Sequence, residues 1–535
     1  MDDKKHLGKC GAIIILVLIG ALISVPLHAQ EKTKQGGMFR YCDLKSPGIL
    51  DPPRVHQNQD VFLASNLFNG LVNLIPGKWE VYPDLAENFE VSKDKMVYTF
   101  SLRKGVKFHH GREVTSDDVV YSLKRHMEPK YFNSEKVRGI GKIEAPDRHT
   151  VRITLKDFDP IFLVKLAGPI GSGVVPKEYV EKYGDSFSTT KESTCGTGPY
   201  TVKEWEAGRG ILLQQNPQYF RGRPNVDLIE MRAITSNATE VMEFEAGGLD
   251  MAALKPPYDK KFLSDPKWKP YCQSAVYPNL YWYGFDVRKP PFSNVKLRKA
   301  FAYALDRERA VKIAGGGLGK AAYHPLPPGF EGYDASQKTY AYDPNMVKRL
   351  LTEAGYPNGI TLKMQVWNFT PQKQYTEFYQ AQVAELGIKL EVEFIEMGTF
   401  RAENDKGKYP FYGNATSIAL PDSAALLYKY FHSDNYGAAG NNLQYKNEEV
   451  DRLIKLAMKE RDNAKRADFI QKTIHLILED CPWVFCHQTQ RTQAIQPWVH
   501  GLEGKIMNET GRWVLINFGD HPIWVDGEKQ KAKQR

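Results

Sequence analysis

The chain predicts an α/β fold spread over two or three domains, and three observations carry that reading. Strand-like stretches of period two interleave with capped stretches of helical period. No long low-complexity linker separates them, and 535 residues exceed what one hydrophobic core holds.

Lys4, Lys5 and Lys9 precede an uninterrupted apolar run over 11–25, and Leu27-His28-Ala29 ends it before Gln30. This is the order of a secretory signal, with Ala29 as the expected last residue removed. The run is short for a spanning helix, which needs about 20 residues, although a retained anchor is the alternative. Cys10 lies before the apolar run, so no lipid-anchored cysteine is indicated at the cleavage point. Lys and Arg number 72 against 63 Asp and Glu, a formal charge of +9, which falls to +8 without residues 1–29. The bases are interspersed with acids except in the tail 529–535, which reads as a solvated end and not a nucleic-acid arm. Export permits disulfides among Cys42, Cys195, Cys272, Cys481 and Cys486, but the sequence does not assign pairs.

Met96, Tyr98, Phe100 and Leu102 alternate with Val97, Thr99 and Ser101 as in a half-buried strand. Thr115 then caps a helix, with Asp118 as its capping-box partner and Val119, Val120, Leu123 and Met127 as its buried stripe. Val151, Ile153 and Leu155 form another alternating strand. The stretch from Gly196-Thr197-Gly198 to Pro199 raises the question of a phosphate loop. Such a loop needs free backbone N–H groups and a helix behind it. Pro199 removes one donor, and Tyr200, Val202 and Trp205, a turn at 207–210, and Ile211-Leu212-Leu213 read as strand, turn, strand. Asp343-Pro344 opens a helix that Gly355 stops. Two further amphipathic helices carry Val450, Leu453, Ile454 and Ala457, then Ile470, Thr473, Ile474, Ile477 and Leu478.

Catalytic patterns fail on context. Ser101-Leu102-Arg103-Lys104 and Ser433-Asp434-Asn435 fit two penicillin-binding motifs, but Ser101 falls on a strand and no K-T-G follows. Gly171-Ser172-Gly173 lacks the glycine spacing of a nucleophile elbow. His109-His110 is not an i,i+4 pair, and Cys481 and Cys486 lack a second pair at zinc spacing. A serine hydrolase and a binder of a metal chelate such as nickel therefore stand only as alternatives. No catalytic residue, resident metal or cofactor is expected.

"PDLAENFEVSKDKMVYTFSLRKGVKFHHGREVTSDDVVYSLKR" (83–125) resembles a marker segment of the peptide/nickel/opine-type substrate-binding proteins of ABC transporters, extracytoplasmic family 5. "GTGPYTVKEWEAGRGILLQQNPQYFRG", "YWYGFDVRKPPFSNVKLRKAFAYALDRERAV", "YDPNMVKRLLTEAGYPNG" and "YKNEEVDRLIKLAMKERDNAKRADFIQKTIHLILEDCPWV" resemble four more, in family order. The resemblance implies a bilobal periplasmic-binding-protein fold of type II, in its large cluster C form, closing on a solute. Lobe I would comprise 36–63, 188–274 and 488–522, with an inserted subdomain at 64–187. Lobe II would comprise 275–487, and 523–535 would be a basic tail. The implied role is capture of a peptide, opine-like compound or saccharide. A monomer would deliver it to an inner-membrane permease with separate ATPase chains, with no part for nucleic acid.

The resemblance places Ser46, Pro47 and Leu50 on a loop facing ligand. It puts Tyr277, Asn279, Tyr281 and Trp282 where the chain enters the second lobe, and Trp367 and Lys373 after a second-lobe strand. Aromatic faces offer contact area, and Lys373 suits a carboxylate. Thr416, Ser417, Ala419 and Asp422 occupy the segment that, in peptide-binding members, carries an aspartate for the peptide's α-amino group. If Asp422 takes the family's Asp-Pro position, that aspartate is replaced by Ala419, unless a shifted loop lets Asp422 substitute. A buried ammonium without a counter-charge costs several kcal/mol, so ordinary di- and oligopeptides are not the expected ligand.

Overall fold

The computed structural model describes residues 35–75, 78–417, 420–437, 440–502, 517–520 and 523–534. The expected signal at 1–29 lies outside them. Four sheets of three or more strands organise the described residues. The first has the order Met38–Asp43, Leu228–Ala233, Gly210–Gln215, Tyr200–Glu206, and its last two members are the expected hairpin. Phe39, Tyr41, Ile211, Leu213, Ile229 and Met231 leave almost no surface exposed, which makes this sheet the wall of one core.

The glycines before that hairpin serve close packing. A Cβ on Gly196 would stand 2.1 Å from the Leu67 carbonyl oxygen, and one on Gly198 would stand 2.4 Å from the Leu67 carbonyl carbon. The Gly198 N–H donates to that same Leu67 carbonyl at 2.9 Å. His109 closes the loop from the other side: its Nδ1 accepts from the Gly196 N–H at 3.2 Å and its Nε2 donates to the Gly198 carbonyl at 3.1 Å. Burial pushes this imidazole down to about 4, so it stays neutral with both nitrogens engaged.

The second sheet is antiparallel, ordered Ala86–Val91, Val97–Leu102, Thr150–Leu155, Ile140–Asp147. Its alternation is as expected, with Tyr98, Phe100, Leu102, Val151, Ile153 and Leu155 inside. The helix Ser116–His126 covers it. The capping box of Thr115 and Asp118 is formed, satisfying orphan N–H groups of the first turn.

The third sheet places Gln490–Ile495 between Met251–Leu254 and Cys272–Val276. The fourth runs Lys320–Ala321, Trp483–Gln488, Asn279–Phe285, Phe411–Ser417, Ile360–Trp367, Ile388–Ile395. Its last two strands are parallel and joined by the helix Thr370–Ala384. The strand Asn279–Phe285 is flanked on both sides and buried on both faces: Tyr281, Tyr283 and Phe285 enter one core, Leu280 and Trp282 the other.

The C-terminal segment differs from a wholly solvated tail. Gly527–Gln534 is a helix whose Gln530 side chain donates to the Met38 carbonyl at 2.8 Å and reaches Asp250, while its lysines stay exposed. Asp250 also takes both Arg40 and the Trp498 indole N–H, so one buried carboxylate ties the tail to the first strand. All five cysteines of the described chain are unpaired. No helix among the described residues is long and apolar enough to cross a membrane.

Candidate functional site

The third and fourth sheets exchange strands at two adjacent points. One crossing runs from Val276 to Asn279, the other from Gln488 to Gln490. The Tyr277 N–H donates to the Thr489 carbonyl at 2.8 Å, and the Asn279 side-chain oxygen accepts from the Thr489 N–H and hydroxyl at 3.3 and 3.2 Å. The Arg491 guanidinium lies 3.7 Å from the centre of the Tyr277 ring. Two short crossings bonded to each other thus join the third sheet, with its own core, to the fourth.

The loop 46–55 forms a well-braced floor. Ser46 accepts from the Gly208 N–H at 3.1 Å, the Leu50 N–H donates to the Ser188 carbonyl at 2.9 Å, and Gly48 donates to Asp60 at 3.1 Å. Asp51 is wholly buried and receives Arg125 in a two-pronged pair at 2.7 and 2.6 Å. Asn133 adds a staple: its side-chain amide donates to the Pro52 and Val55 carbonyls at 3.1 and 2.7 Å. Together these fix residues 129–138 against the floor.

Beside this loop opens a cavity of about 700 Å³. Val55, His56, Asn58 and Val61 line one side, residues 129–138 the next, and Leu420 reaches it from the segment following the fourth sheet's central strand. The sequence reading missed His56, Phe132, Lys136 and Arg138. Their only sequence signal is a short basic run around an aromatic residue in "KYFNSEKVR", which by itself reads as a solvated surface.

Most of the nominated residues fall into three groups: buried, at the crossing, or partly exposed. Leu50 is fully buried in the first core, and Pro47 is buried beside it. Trp282 is stacked on Trp483 at 3.8 Å, and Tyr281 on His487 at 4.6 Å, both inside. Thr416 is buried, with its hydroxyl 3.4 Å from the Leu280 carbonyl. Tyr277 and Asn279 stand at the crossing, bonded to Thr489. Ser46, Trp367 and Lys373 keep exposed surface. Trp367 stacks on Phe369 at 4.8 Å, and Lys373 reaches Phe394 and Glu377. Ser417 ends its strand. Ala419 lies outside the described residues. Asp422 caps the helix Ser423–Phe431 and pairs with Arg466 at 2.6 Å, which also holds Glu331.

The catalytic patterns gain no geometry. Ser101 lies in the strand Val97–Leu102, and Ser433 donates to Asp451 at 2.6 Å from a short 3-10 turn. His110 lies 3.3 Å from Cys195, but burial pushes that thiol up to about 12, the reverse of an activated nucleophile.

This mixed α/β arrangement, with separate cores joined at two adjacent crossings, is the fold of a solute-binding protein. Residues 80–438 match the model of the bacterial extracellular solute-binding proteins, family 5 Middle, and the chain belongs to that family. It is 30% identical over 450 residues to the glutathione-binding protein GsiB of Escherichia coli (strain K12), covering 81% of this chain and 86% of that one. It is 29% identical over 509 residues to heme-binding protein A of Haemophilus influenzae, covering 89% and 91%. Among solved structures, MoaA of A. tumefaciens R10 in complex with mannopinic acid superposes with a TM-score of 0.70 at 26% identity, covering 92% of this chain and 99% of that one. HbpA2 of Haemophilus parasuis shares the fold at a TM-score of 0.80 and 24% identity, covering 92% and 100%. The protein is thus the substrate-binding component of an ABC importer, in a family of solute-binding proteins and not of enzymes.

Proposed function

We propose that the protein, cleaved after Ala29 and free in the periplasm as a monomer, closes on a small organic solute that carries no obligatory free α-ammonium group. Lobes with the boundaries given above turn about the crossings at Tyr277 and Thr489 and deliver the solute unchanged to a permease. A relative named for heme and a neighbour holding mannopinic acid are consistent with a cleft not restricted to ordinary peptides.

The observation that carries this reading is the state of Asp422. Its carboxylate is committed to Arg466 and to the Ala425 N–H of its own helix at 3.1 Å, which leaves it poorly placed to substitute for the aspartate replaced by Ala419. A peptide ammonium entering here would be desolvated without a counter-charge.

Calorimetric titration of an unmodified dipeptide panel into wild type and Ala419→Asp tests it. Wild type should bind the panel weakly or not at all, and the variant should gain about ten-fold, the worth of one charge-assisted hydrogen bond. Micromolar binding by wild type that is unchanged in the variant overturns the reading.

A further inference from the structure

Two turns that hang from different cores meet at the surface. The first, 92–95, joins the strands Ala86–Val91 and Val97–Leu102 of the second sheet, whose core holds Tyr98, Phe100 and Leu102. The second, 460–462, joins the helices Glu448–Lys459 and Asn463–Asp480, which bury Val450, Ile454, Ile470 and Ile474 in a core shared with Trp282 and Trp483. The Lys95 ammonium donates to the Arg461 carbonyl at 3.0 Å, across 366 positions of sequence. Phe158, just past the strand Thr150–Leu155, serves both cations: Lys95 Nζ stands 5.8 Å and the Arg461 guanidinium 5.7 Å from its ring centre. The face of an aromatic ring attracts cations at such distances.

Each turn is braced within its own body. The Ser92 hydroxyl donates to Asp94 at 2.5 Å and accepts from the Val97 N–H at 2.9 Å, and the Met96 N–H donates to Asp94 at 3.2 Å. Opposite, Glu460 accepts from the N–H groups of Arg461 and Asp462, each at 2.8 Å, and Asp462 caps the following helix through the Lys465 N–H at 2.9 Å. Charge also matches across the contact. Asp94 is held below its ordinary pKa first by the Ser92 hydroxyl and in smaller part by Arg461, and Asp462 first by the Lys465 N–H and in smaller part by Lys95. Lys95 has a φ of +57°, a left-handed conformation that glycine adopts without strain. Such strain persists where the surroundings over-determine it, and here the strained residue is the one that reaches another core.

We propose that Lys95, Phe158 and Arg461 form a clasp that ties the inserted subdomain to lobe II. This rests on the reading that the lobes turn about the crossings at Tyr277 and Thr489, and it adds a second point of attachment. A body attached at two places turns only about the line that joins them, so the clasp restricts lobe movement to a single rotation. Solute capture then proceeds with the clasp held.

Hydrogen exchange and small-angle scattering on the full mature chain, with no solute added, test the clasp. Arg461→Gln should speed exchange of the Ser92 and Val97 N–H groups about two- to five-fold, the worth of one exposed cation–π contact. Lys95→Gly relieves the strain of its own turn, so its effect should appear on the far side, as an equal gain at the Lys465 N–H. Phe158→Ala should produce both effects. In scattering, each variant should widen the distribution of lobe separations. Lys95→Gly combined with Asn279→Ala should widen it further than either alone, because the two attachments are separate. Exchange that speeds only in the mutated turn, or a distribution unchanged in all three single variants, overturns the clasp. Solute capture stands in that event, since the calorimetric titrations judge it independently.

Discussion

The loop 46–55 and the strand Asn279–Phe285 use their side chains in opposite ways. The strand lies between two neighbours with a core on each face, so Tyr281, Trp282 and Tyr283 all disappear into packing. The loop is pinned by Asp51, Arg125 and Asn133, and with its backbone thus satisfied it leaves His56 and, through residues 129–138, Phe132 and two cations at the cavity. A central strand of a covered sheet has no free face to offer a ligand, whereas a loop held by a rigid scaffold does.

The strongest way to break this contrast is to attack each region through its own support. Trp282→Ala removes a stacked indole from the fourth sheet's core and should cost about 3–5 kcal/mol in denaturant unfolding. Arg125→Met leaves the buried Asp51 with only the longer Arg54 contact at 3.9 Å, with an expected loss of similar size, about 3–5 kcal/mol. The two should differ in reach: Arg125→Met should speed hydrogen exchange at residues 50–55 and 131–137, Trp282→Ala at the fourth sheet. Identical exchange patterns would show that floor and strand are one cooperative unit.

A smaller effect sharpens the comparison through pH. Asp60 sits beneath the floor loop, where burial pushes its carboxyl up to about 6 against the opposing N–H of Gly48. A carboxyl whose folded value lies above its unfolded value of about 3.9 favours folding when protonated, so stability should fall as pH rises from about 4 to about 6. The change should be about 2–3 kcal/mol, and Asp60→Asn should abolish that slope. A variant with the wild-type pH profile would remove Asp60 from the floor's energetics. Asn279→Ala is expected to be milder still, about 1 kcal/mol from the lost Thr489 contacts. Its clearer signature is a wider distribution of lobe separations in small-angle scattering, and an unchanged distribution would exclude Asn279 from the hinge.

Much of the scaffold was legible in the sequence because its causes are local. The hairpin after Pro199, the box of Thr115 and Asp118 and the stripes of the helices Glu448–Lys459 and Asn463–Asp480 are set by neighbours within a few residues. The cleft is not local. Asn133 bonds to Val55 across 78 positions and Arg125 to Asp51 across 74, and those contacts decide that Phe132 stays open. Periodicity likewise shows that the stretch at Tyr281 and Trp282 alternates, but not that both of its faces are covered. The glycines at 196 and 198 needed the backbone of Leu67, 129 and 131 residues earlier in the chain, to explain them.

The central claim is that the lobes close on a solute and leave it unaltered. Small-angle scattering with N-acetyl-phenylalanyl-glutamate, followed by mass analysis of the released compound, tests this most directly. The expected result is a smaller radius of gyration than that of the unliganded protein, reversed on dialysis, with the compound recovered intact. An unchanged radius at saturating, calorimetrically confirmed binding, or recovery of a cleaved compound, would contradict it.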